Sequence, residues 1–454
     1  MATGGVGHSG GFVSAGGYDS RVMSSRQRPA RWLPASTRGQ AAGIAAVAAV
    51  GAGGLVALLR WRLGSSGVPS VDPAPLRDWF DPAELTRNRA YRRGVWTMAV
   101  AGIPLASAAA VGVALAGGRW RPAAVRAARA RPWRAGLVFG VGLSLVTFAV
   151  TFPLSAARYA WGRDYGLVTQ GVPGWLIDLA KGLAISLVIS ALIGAGAAVL
   201  IARVPRLWWA GLAAAIALLI ALGSLLSPLI IEPLFQHTQP LRDAQLSAQV
   251  LDLARRSGVS ADDVKVNDAS VRTTAANAYV SGLGGSRHIV LYDTLLRDFP
   301  RDQVRVVVAH ELAHVADRHI LKGSVWGAAL AVPGCLLIFA IVGWRTGFGS
   351  AGQGAEGCDL VLRRLAIVAA SAAIISAASA PLSNWVSRDF ERQADWGALS
   401  VTGDSRADIG LQQGLVERSL GVPQPPAAIQ FWFGTHPTAL ERIALALRYR
   451  AEKG

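Results

Sequence analysis

Residues 182–202 read GLAISLVISALIGAGAAVLIA, twenty-one positions without one Lys, Arg, Asp or Glu. As a helix rising 1.5 Å per residue, such a run is about 30 Å long, the thickness of a bilayer's hydrocarbon core. A helix buried in a soluble core keeps a polar stripe more often than not, so the run reads as a transmembrane helix. Six more runs share its character, at 42–59, 95–117, 136–155, 208–231, 324–344 and 365–384. Composition agrees, because 52% hydrophobic and 16% charged residues leave too few charges to coat a soluble chain of 454 residues. Disorder of the whole chain is excluded on the same ground. Two cysteines, Cys335 and Cys358, rule out a disulfide framework and a thiolate zinc site. The expected fold is mainly α, a polytopic membrane protein with about seven transmembrane helices. The Ala- and Gly-rich run at 42–59 has a second reading as a cleaved signal peptide, against which its length and the long segment before it both speak.

The formal net charge of +17 gathers outside the runs. Residues 1–41 are Gly- and Ser-rich, carry Arg21, Arg26, Arg28, Arg31 and Arg38, and are expected to form a disordered basic tail. These arginines, like those at 119–134, suit anionic lipid headgroups. No base-reading motif accompanies them, so nucleic acid is not an expected partner. Arginines crowd the loops on both sides of the 95–117 run, so the positive-inside rule contradicts itself there. Five spans then occupy 42–231 and two more 324–384, with polar blocks at 232–323 and 385–454. The first block carries a helical stretch from Leu241 to Ser257 and short strands at Val264–Val266, Ala278–Val280 and Ile289–Leu291; the second is helical with a Pro-rich break at Val422–Pro426. Neither is long enough to be comfortable alone, and they are expected to dock together. No internal repeat is evident, which counts against a transporter built from inverted halves.

Chemistry concentrates in Val306-Val307-Val308-Ala309-His310-Glu311-Leu312-Ala313-His314-Val315. This H-E-x-x-H pattern lies in a strongly helical context, where residues four apart stand one turn above each other and point two imidazoles at one metal ion. Glu311 is turned by about 100° from His310, close enough to act on a water at the ion without ligating it. A hydrolytic zinc site needs a third protein ligand and one open position. Ser387-Arg388-Asp389-Phe390-Glu391-Arg392-Gln393-Ala394-Asp395 offers Glu391 for that role, with Asp395 four residues on and able to accept a hydrogen bond from a ligand imidazole. Spacing alone allows a solvated amphipathic helix there equally well. His237 and His288 read as surface or loop residues and His8 as inert in the tail, while Trp96, Trp208, Trp209 and Trp344 read as interfacial anchors at span ends.

Taken together the motifs resemble the type I CAAX prenyl protease family, the seven-span membrane zinc metallopeptidases of the gluzincin group. The resemblance runs through Trp79-Phe80-Asp81-Pro82-Ala83-Glu84-Leu85 and Tyr91, Pro233-Leu234-Phe235 with Pro240-Leu241, Asn277-Ala278-Tyr279 with Gly282, and Ile289 to Leu296. It continues through the zinc helix as far as His319, the S-R-x-x-E-x-x-A-D string and Thr435-His436-Pro437. The tail has no counterpart, and the Ala-, Gly- and Arg-rich composition suits a bacterial member. The resemblance implies a zincin-like α+β catalytic domain with a small sheet, built from 232–323 and 385–454 and capping a chamber enclosed by the spans. It implies one Zn2+ per chain held by His310, His314 and Glu391, Glu311 as general base, and His436 near the oxyanion. Arg388 and Asp395 support the ligands from behind, and Asn277 and Ala278 mark the edge that holds a peptide by strand addition. His319, nine residues after His310, is too far along the helix to reach the same ion.

The expected function is therefore a membrane metalloendopeptidase that cuts membrane-associated or lipid-modified peptides, with its catalytic part on the cytoplasmic face of the cell membrane. Peptide or protein substrates, prenylated ones among them, and the lipid bilayer are the implied partners. Two alternatives differ in kind. A transporter calls for ionisable residues at mid-membrane, which the spans lack. A catalytically silent peptide-binding scaffold has no need of His310, Glu311, His314 and Glu391 all together.

Overall fold

The computed structural model describes residues 35–64, 67–83, 85–282 and 287–453. The tail up to residue 34, with His8, and Glu84 of the Trp79–Leu85 string lie outside them. The chain runs through α1 (Ala35–Gly64), a single turn α2 (Leu76–Trp79), α3 (Leu85–Leu115), a short α4 (Gly117–Ala127), α5 (Pro132–Asp164), α6 (Val172–Arg203) and α7 (Trp208–Leu226). A π-helical turn at Ser227–Ile231 carries α7 into α8 (Glu232–Phe235). Beyond the first polar block come α12 (His319–Thr346) and α13 (Gly354–Thr402). Among the described residues seven helices are long and apolar enough to cross a membrane, and each expected run coincides with one of them. Pro104, Pro153, Pro333 and Pro381 sit inside these helices, as membrane helices tolerate when neighbours satisfy the freed carbonyls.

Small residues set the tightest seam. A Cβ on Gly136 of α5 would come within 2.1 Å of the carbonyl oxygen of Gly194 on α6, and one on Gly140 within 2.0 Å of that of Ser190. The G-x-x-x-G spacing of Gly136 and Gly140 thus lets two backbones touch, the usual device where lipid removes any hydrophobic drive between helices. Helices α3, α5, α6, α7, α12 and α13 contact one another in turn and close a ring, with α1 lying outside against α12. No residue in the apolar window of the α7 span is buried, so α7 is a wall held along its flanks.

The polar blocks share a core. Leu246, Val250 and Leu253 of α9 (Ala244–Arg256) pack with Val304, Val308 and Leu312 of α11 (Arg301–Ala316) and with Ala398 and Leu411, which come from α13 and α14 (Ser405–Arg418). Asp243 caps α9 by accepting from the Leu246 N–H at 2.9 Å. The four-stranded sheet is ordered β1 (Thr238–Pro240), β2 (Asp263–Asn267), β4 (His288–Tyr292), β3 (Ala278–Ser281), with β2 and β4 parallel and the other pairs antiparallel. Strand β1 was not legible in sequence; it is three residues long and ends in Pro240, which only an edge strand accommodates. Strand β3 forms the opposite edge. One turn of helix, α10 (Asp293–Asp298), links β4 to α11, and α15 (Ala427–Phe433) and α16 (Ala439–Lys453) end the chain.

The boundaries drawn from hydropathy at 41/42, 231/232, 323/324 and 384/385 all fall inside continuous helical segments. Helix α13 shows why: its apolar part ends near residue 384, yet nothing breaks the backbone before Gly403, and all 49 residues form one rod about 74 Å long. Trp208 also departs from its reading as an interfacial anchor. It is buried, with its ring edge-on to Phe339 of α12 at 5.4 Å, and locks α7 to the next span.

Candidate active site

Helix α11 presents His310 and His314 from one face, as a four-residue spacing requires, with their Nε2 atoms 3.1 Å apart. Helix α13 brings Glu391 against both: its Oε2 lies 3.2 Å from Nε2 of His310, and its Oε1 3.6 Å from Nε2 of His314. Ligand atoms from the three residues all fall within 4.8 Å of one another. Two imidazoles bound tetrahedrally at about 2.0–2.1 Å would place their nitrogens roughly 3.3 Å apart, close to what is found. Oε2 of Glu391 is buried and accepts no hydrogen bond, a costly state for a carboxylate oxygen unless a cation faces it. These residues fit a divalent metal ion.

The orientation of each ring is set from behind. Nδ1 of His310 lies 2.9 Å from Oδ1 of Asp395, an ion-pair distance that fixes the ring with Nε2 facing the cluster. Arg442 of α16 then donates to both oxygens of Asp395, Nε at 2.9 Å and Nη2 at 2.5 Å. Burial works against an imidazolium at His310, yet the carboxylates of Asp395 and Glu391 outweigh it and push its pKa up to about 10, so the pocket draws positive charge. Behind His314 stands His319, with the two Nδ1 atoms 3.0 Å apart. It gets there because Arg318 takes a left-handed conformation (φ 54°) and starts α12 sharply after α11, and Phe390 stacks on its ring at 4.6 Å.

Glu311 is half-buried beside the cluster. Burial raises its carboxyl above the ordinary range, against the pull of His310 and His314. His436 reaches the site from the loop before α16, with Nε2 3.2 Å from Oε2 of Glu391, and its side chain is 55% exposed, open to a substrate. Arg388 belongs elsewhere than expected. Its hydrogen bonds go to another element: Nη1 donates to the carbonyls of Gln430 and Gly434, at 3.2 and 2.6 Å, and so pins the loop that carries His436. Gln430 Nε2 ties the same loop to the His436 carbonyl at 2.7 Å. Thr438 and Glu441 form a reciprocal capping box that starts α16 and fixes Arg442. Asn277 leads into edge strand β3, and Ala278 is buried in the core shared with α11. Sequence reading missed Arg442, one cation among 45 and unmarked by any motif, and Asp408, buried near it and raised to about 7 by burial and by Asp395.

Two family models divide the chain at the end of α7 and α8. Residues 68–237 match the CAAX prenyl protease N-terminal region, described as five membrane helices, and residues 240–451 match peptidase family M48. The uncharacterized metalloprotease YhfN of Bacillus subtilis is 30% identical over 302 residues, covering 66% of this chain and 70% of its own. The chain belongs to peptidase family M48. CAAX prenyl protease 1 of Saccharomyces cerevisiae is 30% identical over 184 residues, 40% of each chain. The crystal structure of S. mikatae Ste24p superposes with a TM-score of 0.66 at 21% identity, covering 89% of this chain and 98% of that one, which shows a common fold. This M48 protein is a membrane-embedded metalloprotease, and its family membership implies a metal.

Proposed function

We propose that the metal is zinc, held by His310, His314 and Glu391, and that the enzyme cuts peptide bonds in membrane-associated or lipid-modified peptides presented at its cytoplasmic face. The observation that carries the reading is the convergence of two Nε2 atoms and a buried Glu391 oxygen that accepts no hydrogen bond. Two imidazoles and one carboxylate form the donor set of hydrolytic zinc. Zinc in such a set polarises a peptide carbonyl and lowers the pKa of water toward about 7. Glu311 accepts the proton of the attacking water and passes it to the leaving amine, a task suited to a carboxyl raised by burial. His436 Nε2 donates to the developing oxyanion, on a loop that Arg388 and Gln430 hold in place. Asp395 and Arg442 keep His310 in the tautomer that binds metal. The free edge of β3 accepts an extended peptide as an added strand, with Asn277 and Ala278 at its start.

The purified chain should bind about one zinc and cleave a membrane-tethered peptide. Glu311→Gln should lower turnover by about 10²–10⁴-fold while zinc content stays the same. Wild-type turnover in that variant would remove Glu311 from the role. A farnesylated CAAX peptide cut faster than its unmodified twin supports the lipid-modified substrate class; equal rates confine the reading to peptides at large.

A further inference from the structure

At the end of the bundle away from the metal site the helices meet in one core, where Ala124 and Ala128 of α4, Phe139 of α5, Ile201 of α6, Val342 of α12 and Val361 of α13 pack together and Ile44 of α1 joins them. The stretches 35–38, 117–134, 203–207 and 345–364 emerge around that core and hold twelve arginines against two acids, Glu356 and Asp359. At the metal end the stretches 60–93, 158–181, 232–322 and 385–453 hold 29 Lys and Arg against 25 Asp and Glu. Most of the excess positive charge of these stretches therefore sits away from the chemistry. Local pairing does not remove it. Asp359 is taken by Arg121 at 2.8 Å, and Arg364 is buried against the carbonyls of Gly347 and Gly349. Arg119, Arg126, Arg129, Arg131, Arg203 and Arg206 are exposed and, among the described residues, make no hydrogen bond or ion pair through their side chains.

Depth and shape decide what this face can hold. Trp133 and Trp344 are 44% and 46% exposed, and Arg134 and Arg345 stack on them at 5.1 and 5.2 Å. Exposed tryptophans paired with cations at the ends of spans mark the headgroup level, and one turn further along α5 Leu137 and Val138 are exposed. The chain turns from α4 into α5 through Arg129 and Ala130, at φ 49° and 53°, a left-handed conformation that side chains disfavour. Backbone hydrogen bonds keep it, from the Arg129 N–H to the Arg126 carbonyl at 3.0 Å and from the Arg131 N–H to the Ala128 carbonyl at 3.1 Å. This elbow gathers Arg126, Arg129 and Arg131 in one short arc, where like charges repel unless an anion enters between them. At headgroup depth the anion at hand is a lipid phosphate. We propose that this end of the bundle docks anionic phospholipid headgroups, whose phosphates are bound at the elbow by Arg126, Arg129 and Arg131. The peptidase reading plays no part in this, because the face lies at the opposite end of the bundle from His310 and His314.

The test places the full-length protein in vesicles and compares quenching of its tryptophans by brominated phosphatidylglycerol and brominated phosphatidylcholine, which gives the relative affinity for the two headgroups. One arginine beside an anionic surface gains about fivefold in affinity, so wild type should prefer phosphatidylglycerol by about tenfold or more, and roughly 1 M salt should remove most of that preference. Joint replacement Arg126→Gln, Arg129→Gln and Arg131→Gln should bring the ratio toward one. The same change of charge at the metal end, Arg242→Gln with Arg406→Gln and Arg450→Gln, three exposed arginines of the polar blocks, should leave the ratio as in wild type. Arg129→Gly is the variant that keeps the fold, since glycine takes the left-handed conformation freely while one cation is lost; it should lower the preference by about fivefold. Equal quenching by both lipids in wild type overturns the proposal, as does a preference that survives Arg129→Gly and the triple replacement. A loss of the same size in the metal-end control overturns it too, because net charge and not this face would then be responsible. Retention of heparin or duplex DNA through Arg126, Arg129 and Arg131 that phosphatidylglycerol vesicles fail to compete away would assign the face to a soluble polyanion, again against the proposal.

Discussion

The α5–α6 seam and the ground behind α11 are held together by opposite means. In the seam, Gly136 and Gly194 bring backbone against backbone, and Ser144 and Ser186 meet hydroxyl to hydroxyl at 2.9 Å. No charge is involved, and the contact depends on the absence of side chains. Behind α11 the reverse holds: Asp395, 3% exposed, is gripped by Arg442 and faces His310, with the buried Asp408 nearby. Where the surroundings are lipid, burial of apolar surface gains nothing and shape alone distinguishes one helix contact from another. Where the bundle meets water, an aliphatic core can form, and a buried ion pair then orients a ligand inside it.

Each region can be broken in its own currency, and the larger loss belongs to charge. Arg442→Met leaves Asp395 buried without its guanidinium partner and with His310 alone beside it, which should cost about 3–5 kcal/mol of stability and weaken metal binding together. Arg442→Lys should recover only part, because an ammonium cannot span both carboxylate oxygens as the guanidinium does. Thermal unfolding and chelator competition on the two variants measure both effects; an Arg442→Met enzyme as stable as wild type would show the pair to be dispensable. In the seam, Gly136→Ala should cost about 1–3 kcal/mol through overpacking, although alanine is the better helix former. Gly142, on the same helix with nothing within 4 Å of its added Cβ, is the control. A loss equal to that of Gly136→Ala at Gly142 would remove close approach as the cause.

Sequence disclosed these regions unequally. The convergence of His310 and His314 was legible because a four-residue spacing on a helix fixes geometry before any fold is known, whereas spacing left Glu391 open and the resemblance of its string pointed to it. Arg442 was not, because only the return of α16 beneath α13 separates it from the other cations. His319 was seen but not placed; its contact with His314 depends on the left-handed turn at Arg318, which no composition rule signals. Arg388 was expected behind His310, His314 and Glu391 and instead holds the His436 loop, because its long side chain reaches the carbonyls of Gln430 and Gly434. Hydropathy located all seven spans but cut α13 at residue 384, because it records the solvent outside a helix and says nothing of where the backbone stops being helical. The glycine contacts of α5 and α6 were present as letters, yet which helices they join is a property of the fold.

A partly buried acidic group with exposed arginine partners supplies the weak end of the comparison. Asp298, at the end of α10, lies 2.9 Å from Nη2 of Arg297 and 3.8 Å from Nη1 of Arg418 on α14, and both arginine side chains are more than half exposed. The hydrogen bond from Arg297 holds the Asp298 carboxyl below its ordinary value. The unfolded chain therefore binds this proton more readily than the folded one. The stabilisation is complete above the unfolded value of about 3.9 and is lost as pH falls below it toward the depressed folded value. In water the pair gains little, so Asp298→Asn should cost only about 0.2–1 kcal/mol at neutral pH, and roughly 1 M salt should screen most of that away. The Arg442→Met deficit should survive the same salt, because bulk ions do not reach a buried pair. Denaturation of both variants at low and high ionic strength separates the two: parallel salt responses would mean that burial does not divide these carboxylates as the structure places them.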